Sequence, residues 1–186
     1  MTPTVDGIAR AAVAATEALL REAGAVQPPT AHLLAEDMDQ PYVGYLTCRP
    51  FGRGPDAEAA ISEMGALPAA LAATRIVLTW EHADLRAAFG MSGAHPNALV
   101  LVDADLTGEH DLWWHPFVLD VGPCAAAERA CALPEWGQPE RRSDVRLPTP
   151  VARLLDVWRA LRETDLEETV GRLEAAGHRM RWAQRT

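Results

Sequence analysis

Three acidic side chains, Glu81, Asp103 and Asp105, carry the clearest chemistry in this chain. Glu81 ends the run RIVLTWE at 75–81, Asp103 ends the run ALVLVD at 98–103, and Asp105 follows two positions on. Carboxylates at neighbouring strand ends can converge on Mg²⁺ or Mn²⁺, hard cations that prefer oxygen ligands. His82, beside Glu81, would then be the general base. Arg49 and Arg53 would hold an anionic substrate. Together these residues describe a metal-assisted hydrolase acting on a small anion at the carboxyl ends of sheet strands.

Other constellations are weaker. The segment GRGPDA at 52–57 fits the G-x-G-x-x-G/A spacing of dinucleotide-binding turns. However, Arg49-Pro50-Phe51 separates the preceding strand from the first glycine, and Pro55 lacks an amide proton. A smaller anion on Arg49, Arg53 and the following helix N-terminus fits better. Ser92 lies close to His95, but a nucleophile elbow follows a strand and precedes a helix, and here that order is reversed. His110 and His115 have no third soft ligand nearby, which disfavours zinc. Cys48, Cys124 and Cys131 form no CxxC pair, so they read as small buried hydrophobes.

Composition removes whole classes of chemistry. All 17 basic residues are Arg. Without Lys there is no Schiff base and no phosphate-loop lysine. The net charge of −9 argues against a broad nucleic-acid face. That charge is unevenly spread. Residues 1–139 hold 7 Arg against 18 acids, a balance of −11, whereas residues 140–186 hold 10 Arg against 8 acids, a balance of +2. No apolar run reaches the roughly 18 residues of a membrane span. With no cleavable leader pattern, the expected location is cytoplasmic.

These side chains need elements to position them. Ile8, Ala12, Ala15 and Leu19 predict a helix over 4–23, and Leu33, Leu34 and Met38 a second over 30–38. Strands are expected at 42–48, 75–81, 98–103 and 112–119. Pro116 would place the last at an edge or a bulge. A helix over 56–73 should break at Gly65 and Pro68, and short helices should fill 83–89 and 124–132. Two helices close the chain, one from Thr149-Pro150 and one from the capping box Thr164-Asp165-Leu166-Glu167. Residues 178–182 form a short edge strand or a tail.

The expected fold is one α/β domain over 1–186. It has a helical segment at 1–40, a sheet core at 41–121, a loop-rich connection at 122–148 and a helical segment at 149–186. The β-α-β-α-β-β order implies a small mixed four-stranded sheet, with three parallel strands joined by right-handed crossovers. Terminal helices, proline-rich loops and segregated charge suit a non-catalytic interaction or regulatory module without a cofactor, meeting a protein partner or a second copy. The metal-assisted hydrolase is the alternative.

Overall fold

The computed structural model describes residues 5–123, 130–143, 146–160 and 165–184. The N-terminal half runs α1 (Val5–Ala23), β1 (Thr30–Leu34), β2 (Tyr42–Thr47), α2 (Pro55–Glu63), α3 (Ala66–Ala70), β3 (Arg75–Glu81) and α4 (His82–Ala88). Then come β4 (Ala98–Asp105), β5 (His110–Pro123), β6 (Ala130–Trp136), β7 (Glu140–Ser143), α5 (Thr149–Ala160), α6 (Leu166–Ala175) and β8 (Arg179–Trp182). No helix among the described residues is long and apolar enough to cross a membrane.

The strands form one eight-stranded sheet in the order β6-β5-β4-β3-β1-β2-β8, with β7 also paired to β5. Every pairing is antiparallel. This overturns the small mixed four-stranded sheet, through β1 on one side of β3 and through the antiparallel return by α4 to β4 on the other. The segment TAHLL takes the strand position between β2 and β3 instead of starting a helix over 30–38. Its leucines at 33 and 34 fit a helical stripe equally well. Pairing on both edges and burial on both faces override that local preference. The helices between β2 and β3 still return the chain in the same direction. Because β1 lies between those two strands, they are not neighbours, and β3 and β4, joined through α4, pair antiparallel.

Three further expectations change. β5 runs for 14 residues through Pro116. That proline sits where the second neighbour of β5 changes. β7 pairs with residues 111–114 and β6 with residues 117–123, so no ladder bond is asked of the missing N–H. The short helix at 124–132 is not found where it can be tested, since residues 130–132 belong to β6 and residues 124–129 lie outside the described residues. The cap of α6 is Asp165 rather than Thr164, its side chain accepting from Glu168 N.

Alternation along the strands divides the core. On one face Ile76, Leu78, Trp80, Val100 and Val102 pack against α2, α3, α5 and α6. On the other, Val77, Leu99 and Leu101 pack against Ile8 and Ala12 of α1. Trp113 belongs to the α1 side and Trp114 to the opposite side, as adjacent strand residues must. In α1 the buried stripe is Ile8, Ala12, Thr16 and Leu20, one residue round from the expected Ala15 and Leu19. Val151, Leu154, Leu155 and Trp158 form the expected buried face of α5, and the Trp158 indole donates to Ala73 O at 3.0 Å.

Candidate functional site

The antiparallel sheet separates the acids that the sequence groups. Glu81 pairs with Leu99, while Asp103 pairs with Val77 and Asp105 with Arg75. Asp103 is therefore four strand positions from the Glu81 row, roughly 13 Å at the rise of a strand. One hard cation with bonds of about 2.0–2.6 Å cannot bridge that span. Among the described residues no group of three His, Cys, Asp or Glu side chains is placed to hold a metal ion.

Each of these acids has local partners. Glu81 is the N-cap of α4, and its carboxylate accepts from Ala83 N (3.1 Å), Asp84 N (2.5 Å) and Ala98 N (3.1 Å). Burial pushes its pKa up, against the pull of those three amides. Asp103 takes a two-pronged contact from Arg75, at 2.7 Å from Nε and 3.2 Å from Nη2, and Arg75 also reaches Glu36 at 2.8 Å. Asp105 accepts from the backbone and hydroxyl of Thr107, closing the β4–β5 turn and holding its pKa down.

The two arginines also part. The Arg49 guanidinium is held by Asp56 at 2.7 Å and lies 3.9 Å from Glu63. Asp56 in turn accepts from Gly52 N, so the glycine loop is tied to its own carboxylate. Arg53 is exposed. Cys48 is buried, and burial pushes its thiol up to about 12, which leaves it unreactive. Cys124 lies outside the described residues.

His82 is different, because it opens onto a cleft of about 670 Å³. Strand register builds the floor: Trp80 is opposite Val100, Val100 is opposite Trp114, and Leu112 is opposite Arg142 of β7. The wall is α4, fixed to the end of β3 by the Glu81 cap. That cap sets His82 and Arg86, four apart and therefore on one helix face, beside Trp114. The third side is the approach to α5, with Arg146, Leu147 and Pro148, and Glu58 of α2 completes the rim.

The cleft is aromatic below and cationic above. The His82 ring stands edge-on to Trp114, with centroids 4.7 Å apart. The Arg142 guanidinium lies 5.1 Å from the centre of the Trp114 ring and is steered there by Glu140 at 2.6 Å. Burial lowers the pKa of His82, and the neighbouring Arg86, His95 and Arg142 lower it further. These neighbours favour the uncharged imidazole, and the fixed positive charge of the cleft rests on guanidinium groups. Two donors on the cleft lack an acceptor: the Trp80 indole N–H, on a side chain only 2% exposed, and Arg86 Nε.

No family model matches this chain, and neither a curated protein nor a solved structure matches it. The site therefore stands on its own geometry. Of the residues singled out in the sequence, it contains His82 and uses Glu81 only as the cap that positions α4. Trp80, Arg86, Trp114, Arg142 and Arg146 were missed. Their one advance signal is the abundance of tryptophan, six in the chain. Their convergence depends on a β5–β7 pairing that falls partly in a stretch expected to be loop.

Proposed function

We propose that this chain is a non-catalytic regulatory or interaction module whose ligand seat is the cleft between β3, β5, α4 and the start of α5. The observation that carries the reading is a pair of buried donors without partners, Trp80 Nε1 and Arg86 Nε, on residues that line a cleft with an apolar floor. Buried polar groups in folded proteins nearly always have partners, so two orphans in one concavity call for an acceptor from outside. The acids that would support hydrolysis are instead engaged in capping α4, bridging β3 to β4 and closing a turn. A macromolecular partner with an acidic surface fits the other end of the sheet. There the edge strand β8 carries Arg179 and Arg181 beside exposed Met38, Leu166 and Trp182.

A thermal-shift panel tests this reading. It sets small organic molecules of positive, neutral and negative charge against Mg²⁺ and Mn²⁺. The module predicts stabilisation by an organic class and none by either metal. Stabilisation by Mn²⁺ that disappears in Asp103→Asn would overturn it in favour of the metal-assisted hydrolase.

A further inference from the structure

Resting on that reading of the cleft, we infer the class of its ligand. It is a small amphipathic monocarboxylate, with its apolar body on the Trp80–Val100–Leu112 floor and its carboxylate against the guanidinium rim.

Charge sets the valence of the ligand. Arg86, Arg142 and Arg146 bring three fixed positive charges to the rim. Glu58 faces the same cleft, and Glu140 is bound to Arg142. Among the described residues, three guanidinium groups against two carboxylates leave one positive charge, which a single carboxylate neutralises. A phosphomonoester, with close to two negative charges at neutral pH, would bring an uncompensated charge into a partly desolvated space. A neutral ligand would gain nothing from the excess guanidinium charge.

Geometry sets the rest. A carboxylate has two acceptor oxygens and matches the planar fork of an arginine. Arg86 lines the cleft half-buried, and its Nε is covered and without a partner in the protein, so a fork contact on that edge requires the side chain to swing toward the ligand. The Trp80 N–H is a single buried donor without a partner, and a ligand acceptor that displaced the side chains covering it would satisfy it. The floor offers no charged group: Trp80, Val100, Leu112 and Leu147 are all buried and Phe89 packs partly against them. A cleft of about 670 Å³ accommodates a body the size of one ring and a short chain with room to spare.

The test is isothermal calorimetry on the full chain with three probes of one shape: 3-phenylpropionate, its primary amide and phenyl phosphate. The inference predicts saturable one-to-one binding of 3-phenylpropionate, at least tenfold weaker binding of the amide, and phenyl phosphate no tighter than the carboxylate. Arg86→Gln, at a half-buried position on a short helix, should weaken the carboxylate at least tenfold and leave the amide unchanged. Trp80→Phe removes the N–H while keeping a ring on the floor, and should weaken the carboxylate as well. If phenyl phosphate binds tighter, or the amide binds equally well, and Arg86→Gln or Trp80→Phe still alters that binding, the ligand class is wrong while the cleft reading stands. If no probe binds at millimolar concentration, or if binding ignores both substitutions, the class and the cleft reading fail together.

Discussion

At the scale of residues, two neighbours in the chain have opposite fates. The Glu81 carboxylate accepts from three backbone amides, whereas the Trp80 indole next to it has no acceptor. The first is a group whose work is complete within the protein. The second is a group that burial leaves incomplete. Sequence singled out Glu81 and passed over Trp80, because a strand-end acid is a recognisable type while an unsatisfied donor exists only once a fold surrounds it. A second buried group gives a prediction of pH dependence. His32, on β1, is hydrogen-bonded through Nδ1 to the Tyr42 hydroxyl at 3.0 Å, and burial lowers its pKa to about 4. Above pH ~6.5 both folded and unfolded chains carry it neutral. As the pH falls, the unfolded chain takes up a proton that the folded chain refuses until about pH 4. Stability should therefore decline across that window. The loss from this residue is at most about 3.5 kcal/mol, since each tenfold change in proton affinity is worth about 1.4 kcal/mol. Urea unfolding at pH 7 and pH 4.5 checks it. His32→Gln should lose clearly less stability than the native chain between the two, and an equal loss would refute the assignment.

At the scale of elements, the strands 75–81 and 98–103, the helix from Thr149 and the break at Gly65 were all legible, because each has a local cause: continuous apolar β-formers, a cap and a breaker. The misread elements have non-local causes. TAHLL becomes a strand because two partners flank it, and ACALPEW because β5 is long enough to pair with β7 and then β6. Inserting β1 keeps β2 and β3 from being neighbours, and the antiparallel return through α4 from β3 to β4 sets the separation of Glu81 from Asp103. The packing of α5 makes a sharper demand. A Cβ built on Gly65 would lie 2.3 Å from Leu154 O and 3.0 Å from the Val157 Cβ. Gly65→Ala must therefore push α5 away from the turn between α2 and α3. Overpacking of this kind costs about 1–3 kcal/mol. Because the approach to α5 forms one wall of the cleft, the substitution should also weaken the carboxylate probe. Chemical denaturation reads the first effect and calorimetry the second. A Gly65→Ala protein of native stability would show that α5 does not approach as closely as described.

At the scale of the whole molecule, the cleft is a product of topology. The Trp80–Arg86 segment, Trp114 and Arg142 are far apart in the chain, and they meet because β3, β4, β5 and β7 are successive neighbours in one antiparallel sheet. The segregation of charge takes a new sense in the same way. Arg142 and Arg146 come from the part of the chain with a balance of +2, and the sheet brings them onto a body with a balance of −11. The result is a cationic rim on an acidic protein, and because Arg142 and Arg146 are exposed, salt should weaken a carboxylate held there. The central claim is that this cleft receives a ligand whose acceptor reaches Trp80. The most direct measurement is the indole N–H region of the ¹H–¹⁵N spectrum, with the Trp80 resonance assigned through Trp80→Phe and 3-phenylpropionate titrated in. The account predicts a saturable shift of the Trp80 resonance with the midpoint found by calorimetry. The Trp158 resonance, from an indole on α5 already bonded to Ala73 O, stays in place. A Trp80 resonance unmoved at saturating probe would contradict it.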